Sequence, residues 1–584
     1  MSDIRLINLE TGGNQAYIFA TNKLRNVVGA SELLYRVGTS YVGRALAKAT
    51  GQEIGEESFT GISDFIDGFK KPIEENDKQA FEVIVATSGK ALLLARDEDT
   101  AKSFIREWSR IVADEAPGVD AAAVFSKTAV DLGLSLEDAS PESYMEVFRE
   151  TERLMTIQRT AEGMPVGRFP RLPIVAECAY SGLPAVDVKK EHGREVLVSA
   201  SSLAQRNVVD DTLLMDRLKG LFPGDGASQF QRGLAALEQR DLDWLAVVHA
   251  DGNGLGQLFI NFDKHVKALD GDKATGRNYI DRYRAFSSAL DQISRDAFAS
   301  TVMALWHQDE PDIIPIVVGG DDLTVVMDGK QSLDFTKRFM IDFCEQTKTN
   351  PGTKDILKYA GLEQLGMCAG VSIVKPHFPF SQAYDMAEEL MKNAKQVKTK
   401  YGPDSIALDF HILYDSISTS IADIRARLKI KEGDAKGRTR VLTAKPYVVQ
   451  PGDTWNKDKG SGPNEEWEKV HDYDQFERAR EAVAKLPSSQ AHAVRDALFS
   501  ELVDTQESEW KFLNSTYAKD GFKGAWEGVY DGKEHLKDYK GQLYIHVGPD
   551  PDPKKKLGER EYTYFLDALE ALKFQKDQDG KDGN

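Results

Sequence analysis

An α+β protein built on two related sheet units is predicted from three observations. Between Trp244 and Leu413, apolar runs and amphipathic stretches alternate in the order β-α-β-β-α-β-α-β, a ferredoxin-like order with added elements. Residues 1–160 read as a shorter copy of that order. Beyond residue 416 the sequence turns mostly helical.

At 584 residues the chain is too long for one core. Four domains are expected: a first ferredoxin-like unit at 1–160, a linking helical region at 161–240, a complete unit at 241–415, and a helical domain at 416–584 that ends in a polar tail from 574. The composition, 41% hydrophobic and 29% charged, is that of a globular protein. Apolar runs such as Ile313 to Val318 fall far short of the roughly 18 residues a spanning helix needs, so no membrane contact is expected. The N-terminal MSDIRLINLETGG lacks a basic n-region before an apolar stretch, which argues against a signal peptide. Cys178, Cys344 and Cys368 form no C-x-x-C pair, which excludes a disulfide framework and a sequence-local zinc site. A cytoplasmic location is the resulting expectation. With 74 basic against 93 acidic residues the net charge is −19. Such a chain is a poor nucleic-acid binder unless a local basic surface or a basic partner compensates.

The elements follow in order. A short strand is expected at Ala16 to Ala20, with Thr21 or Asn22 capping a helix whose apolar positions are Val27, Val28, Leu33, Leu34, Val37 and Tyr41. A hairpin runs from Phe81 to Ala86, through the turn Thr87-Ser88-Gly89-Lys90, to Ala91 to Ala95. Helices fill much of 99–160. The stretch 173–200 is irregular around a short strand at Val196 to Ser199, and helical material continues to about 240. Then come strand Trp244 to Ala250, the turn Asp251 to Gly256, a polar insertion over 263–280, and a long helix over 281–300. The unit closes with strand Ile313 to Val318, turn Gly319 to Asp322, strand Leu323 to Met327, helix 331–347, strand Cys368 to Val374, helix Gln382 to Lys398 and strand Ser405 to Leu413. Charged tracts occupy 549–559.

The chemistry is carried by acidic turns. Asp251 follows an apolar strand and precedes Gly252, Asn253 and Gly254. Seventy residues on, Gly319-Gly320-Asp321-Asp322 joins two strands, where tight turns favour Gly and Asp. Either motif alone is an ordinary turn. On strands that neighbour in one sheet they bring three carboxylates to one edge, and such a cluster repels itself unless a divalent cation is held. Two metals about 3.5–4 Å apart activate a hydroxyl and neutralise a leaving pyrophosphate, so the expected cofactors are two Mg2+ or Mn2+ ions and the expected ligand a nucleoside triphosphate. Small residues after Asp251 let the triphosphate approach backbone N–H groups. Lys395, off the apolar face of its helix, is placed to meet phosphates, and Ser372 is a further candidate for the nucleotide. His249 reads as a core histidine, Cys344 and Cys368 as apolar fillers. The basic insertion Lys264, His265, Lys267, Lys273 and Arg277 reads as a solvated loop more readily than as an RNA grip.

The series His249-Ala250-Asp251-Gly252-Asn253-Gly254, Gly319-Gly320-Asp321-Asp322, Ala369 to Val374 with Pro376-His377, and Ala394-Lys395 resembles the polymerase-cyclase large subunit of type III CRISPR effector complexes. The resemblance spans about 242–415, and more loosely Tyr17 to Val42 and 173–206. It implies two palm domains (the nucleotide cyclase-like form of the ferredoxin-like unit) facing each other across two ATP molecules, and synthesis of cyclic oligoadenylates as antiviral signals. It implies Asp251, Asp321 and Asp322 as catalytic metal ligands. Nucleotide contacts fall to Gly252, Asn253, Gly254, Gly319, Gly320, Ser372 and Lys395, with Gly29, Ala30 and Ser31 lining an acceptor pocket. CRISPR effector subunits and guide or target RNA are the implied partners.

The sequence departs from the family in three places. No His-Asp pair stands near the N-terminus, so nuclease activity is not implied. Of the family's zinc ribbon only Cys178 remains, beside Ser181-Gly182-Leu183-Pro184-Ala185, which implies a lost metal and a retained loop. The first unit has Thr87-Ser88-Gly89-Lys90 where acidic residues would be needed, which implies a catalytically dead palm that shapes the second nucleotide pocket. Two other functions fit less well. A diguanylate cyclase expects a Gly-Gly-Asp/Glu-Glu-Phe turn and a homodimer, whereas Asp322 and Leu323 stand here and a second unit lies in cis. A non-catalytic RNA-binding scaffold has no use for the intact Asp251, Asp321, Asp322 and Lys395.

Overall fold

The computed structural model describes residues 3–54, 59–161, 172–191, 193–219, 221–222, 242–306, 312–414, 420–431, 438–452, 465–500, 503–517, 521–549 and 558–574. The first unit is a four-stranded antiparallel sheet of β1 (Arg5–Gly12), β2 (Phe81–Thr87), β3 (Lys90–Ala95) and β4 (Asp120–Phe125), in the order β2-β3-β1-β4. That is the ferredoxin-like order expected of it. The opening strand is not the one expected. Asn14–Ile18 is a turn of helix, and the strand is Arg5–Gly12. Leu6, Ile7, Asn8 and Leu9 are all buried, so this strand shows no in-out alternation, while the apolar run at 16–20 suits either state.

Neither Thr21 nor Asn22 caps helix Leu24–Gly38; Lys23 stands at the cap position and makes no side-chain bond there. Asn22 is used elsewhere. Its Oδ1 accepts the Phe380 N–H at 3.2 Å, at the first turn of helix Phe380–Ala394 in the second unit. Orphan N–H groups of a helix start need such acceptors.

After a two-stranded hairpin, β5 (Ala185–Glu191) with β6 (Arg194–Ser199), the linking region continues in helices Ala200–Asn207 and Thr212–Lys219. The helix expected over 223–240 lies outside the described residues. The loop before the hairpin is held by its own hydrogen bonds. The Cys178 N–H donates to the Leu183 carbonyl at 2.7 Å, the Gly182 N–H to the Cys178 carbonyl at 3.1 Å, and the Cys178 thiol lies 3.6 Å from the Ser202 hydroxyl.

The second unit follows the expected order closely: β7 (Leu245–Gly252), β8 (Ile313–Gly319), β9 (Asp322–Asp328), β10 (Met367–Val374), β11 (Ile406–Ile412). With β14 (Tyr447–Gln450) the sheet reads β14-β11-β10-β7-β9-β8. The part β10-β7-β9-β8 repeats the order of the first sheet, and β11 runs parallel to β10. The supposed polar insertion is helix Phe262–Asp270 followed by the start of helix Gly276–Trp306. Phe262, Val266, Tyr279 and Ile280 are buried, which anchors a mostly polar sequence. Arg277 is no loop cation either. It holds Glu74 and the fully buried Glu82 of the first unit, with Nη1 2.6 Å from Glu82, and Arg284 also pairs with Glu82.

The C-terminal domain is helical as expected, but it also holds a small sheet of β12 (Lys429–Lys431), β13 (Thr439–Val441), β15 (Ile545–Val547) and β16 (Arg560–Tyr562), ordered β12-β13-β16-β15. Strands of three residues are too short to show a period-2 pattern. β14 (Tyr447–Gln450) joins this domain to the second sheet through β11. Residues 550–557 of the charged tract and the tail beyond 574 lie outside the described residues. No helix among the described residues is long and apolar enough to cross a membrane.

Candidate functional site

β7 ends and β9 begins at the same edge of the second sheet, and the antiparallel register sets Asp251 directly opposite Asp322. Gly319 pairs with Asp322 across the hairpin, and Gly320 takes the left-handed conformation (φ +61°) that the two-residue turn demands. Helix Gly276–Trp306 clamps the turn: the Ser294 hydroxyl donates to the Gly320 carbonyl, and a Cβ at Gly319 would sit 2.8 Å from an Asp291 carboxylate oxygen. Gly252 is required by Asp321. Its N–H donates to the Asp321 carbonyl at 3.2 Å, and a Cβ there would lie 2.7 Å from the Asp321 Cβ.

Burial pushes the Asp321 carboxyl up to about 6, against backbone hydrogen bonds that lower it. Burial and the neighbouring charge of Asp321 push Asp322 up to about 7. Asp322 is nonetheless exposed at the sheet edge, so water and ions reach it. Asp251 is paired instead with the Lys395 ammonium, at the C-cap of helix Phe380–Ala394. Burial and Lys398 depress Lys395 to about 8; contact with Asp251 opposes them and favours the charged form.

Three carboxylates at one sheet edge, two of them raised by burial or mutual repulsion, form a donor set suited to divalent cations. The ligand geometry is not preformed. Among the described residues no three His, Cys, Asp or Glu side chains are grouped so as to hold a metal ion, and Asp251 is turned to Lys395.

The edge opens on a cavity of about 560 Å3 between the two units, lined by Thr87, Ser88 and Lys90 of the first hairpin and Gly319, Gly320 and Asp321 of the second. Phe148, Phe259 and Tyr283 supply an apolar wall. The two hairpin turns thus face a single space.

The other candidates divide. Gly254 (φ +78°) ends the Asp251 loop and starts helix Leu255–Ile260. Asn253 turns inward; it is fully buried, and its amide donates to the Ser405 carbonyl at 2.8 Å. It shapes the loop and does not face the cleft. Ser372 is buried in mid-sheet opposite Val247, four residues along β7 from Asp251. Gly29 packs on the linking region, where a Cβ would overlap the Gln205 carbonyl at 1.6 Å, and Ala30 is in the core. Of those three only Ser31 reaches the cavity, with its hydroxyl bonded to the Ile316 carbonyl. His249 is buried, 3.1 Å from the Thr324 hydroxyl, as a core histidine. Sequence reasoning missed Tyr35, Arg217 and Glu152 on the cavity wall. They come from three separate helices and no local pattern joins them.

Residues 244–407 match the family model for the second palm domain of Cas10/Cmr2. That segment holds Asp251, Asp321, Asp322 and Lys395. Among solved structures the chain is similar to a Csm1–Csm4 cassette in complex with one ATP (13% identity, TM-score 0.46), to one in complex with pppApA (13%, 0.45), and to Csm1 in T. onnurineus (13%, 0.42). In each case 98% of this chain and 70% of the other are covered. No curated protein matches the chain. The segment similar to the Cas10/Cmr2 second palm is the second sheet unit.

Proposed function

We propose that this chain is a nucleotidyltransferase that condenses ATP into cyclic oligoadenylates, acting in antiviral defence of the type III CRISPR kind. The observation that carries this reading is the register pair Asp251–Asp322 at one sheet edge, with Asp321 beside it lining a cavity shared with the first palm. Two divalent ions, Mg2+ or Mn2+, would lower the pKa of a ribose 3′-hydroxyl and neutralise the departing pyrophosphate when bound.

The chain's own residues do the rest. Asp251, Asp321 and Asp322 would hold the cations. Gly252 keeps Asp321 over the loop, and Gly319 and Gly320 let phosphate approach the hairpin backbone. Lys395 would offer its ammonium to the β- and γ-phosphates. The first palm has no carboxylate in its 87–90 turn, so the acceptor nucleotide lies on that side with its 3′-hydroxyl towards the second palm.

Effector subunits and guide or target RNA are the proposed partners. The −19 charge assigns RNA contact to basic partner subunits more than to this chain. The proposed location is the cytoplasm. Mass spectrometry of products from the purified chain with each of the four NTPs and Mg2+ or Mn2+ tests the reading. Cyclic adenylates from ATP support it, a cyclic dinucleotide from GTP alone turns it into a diguanylate cyclase, and no product with any NTP or with added partner complex leaves a binding scaffold.

A further inference from the structure

The two sheets share one strand order, so their residues correspond by register. In the second palm, Asp251 on the first strand faces Asp322 at the start of the third. In the first palm the same two positions are Glu10 on β1 and Lys90 at the start of β3, and they face each other in the same way. Lys90 also pairs with Thr87 across its hairpin, as Asp322 does with Gly319. One acid of the pair is thus kept and the other is replaced by a base. Two carboxylates need an external cation; a carboxylate and an ammonium 3.2 Å apart carry their own.

The surroundings fit a cation that can be lent to a ligand. Lys90 lines the shared cavity. Burial works against its ammonium, but Tyr283, Glu10 and Glu152 outweigh it and keep the group charged. Glu10 has a second partner, Arg159, at 3.6 Å, and Glu152 accepts from the Asn8 amide at 3.1 Å. If Lys90 swings to an anion in the cavity, neither carboxylate is left alone, which is the condition for moving a charge out of a buried pair at low cost.

We infer that Lys90 is a built-in cation that holds the phosphates of the acceptor nucleoside triphosphate, so that one half of the cavity binds nucleotide without metal and the other half only with it. This rests on the nucleotide chemistry proposed above for the cavity.

The test is calorimetric titration of the full chain with 3′-deoxy-ATP, which lacks the condensing hydroxyl, in EDTA and then in Mg2+. One equivalent is expected in EDTA and two in Mg2+. Lys90→Ala should weaken the EDTA equivalent at least tenfold while the Mg2+-dependent one persists, which also shows that the variant is folded. Lys90→Gln, which keeps the chain length and removes only the charge, carries the same expectation, and Lys90→Arg should retain both equivalents. Asp321→Ala should lose the Mg2+-dependent equivalent alone. Two equivalents that both require Mg2+, or an EDTA equivalent indifferent to Lys90→Ala and Lys90→Gln, overturn the role of Lys90 and leave the cyclase reading standing. No nucleotide bound in either condition overturns both.

Discussion

Lys395 and Asp251 form an ion pair that joins the end of helix Phe380–Ala394 to the end of β7. In the proposed chemistry the Lys395 ammonium and a metal ion would compete for Asp251, so the pair would act at two stages. Lys395→Ala should tighten Mn2+ binding, because Asp251 is freed. The same substitution should lower kcat/KM by about 2–4 kcal/mol in transition-state terms, the range seen when one donor to developing charge is removed. Calorimetric metal titration and steady-state rates on one preparation check both. Unchanged values in both would return Lys395 to an ordinary surface lysine.

Gly252→Ala puts a methyl 2.7 Å from the Asp321 Cβ and must push that carboxylate off its place. A displacement of about 1 Å at such a group costs on the order of 100-fold in rate. Activity should fall by that order while the melting temperature moves little, since the shift is local to an exposed edge. A variant with wild-type turnover would show that the position of Asp321 is not set by Gly252.

The two palms are tied together by Glu82, which is fully buried between Arg277 and Arg284 of the second palm. Removing Glu82 leaves Arg277 with Glu74 and both arginines with Asp281, so the cost is about 1–3 kcal/mol rather than that of a fully stranded charge. Glu82→Ala should lower the urea midpoint of the first unfolding transition accordingly, and with it nucleotide affinity, because the cavity lies between the palms. A loss of stability under 1 kcal/mol would mean that solvent reaches the arginines.

Burial, with Lys445 and Arg425 nearby, depresses His411 to about 3. The unfolded chain takes up a proton near 6.5, the folded chain only near 3. Above 6.5 both forms are neutral and the group contributes nothing. As pH falls from 6.5 towards 3, stability declines by up to about 1.4 kcal/mol per unit from this group. Denaturant unfolding of wild type and His411→Gln across that window should show a shallower acid slope for the variant; equal slopes would contradict the buried neutral imidazole.

The second palm was largely legible because its half-buried and buried strands are separated by long helices with clear periodicity, and its turns carry Gly and Asp for a stereochemical reason. The residue match over 244–407 falls on that part. β1 was missed because burial on both faces erased its alternation, and with it the Glu10–Lys90 correspondence. Asn253, Ser372, Gly29 and Ala30 looked like ligand contacts because small and polar residues serve close packing as readily as binding. Which of the two they serve depends on neighbours distant in sequence, such as Ser405 and Gln205.

The proposed chemistry needs Asp251, Asp321 and Asp322 to act together on ATP. The most direct measurement is mass spectrometry of the products formed from ATP and Mn2+ by wild type, Asp321→Ala and Asp322→Ala, with melts on the same samples. Cyclic, 3′–5′-linked adenylates from wild type and none from either variant, at melting temperatures no lower than wild type, is the predicted result. Undiminished synthesis by both variants would contradict it.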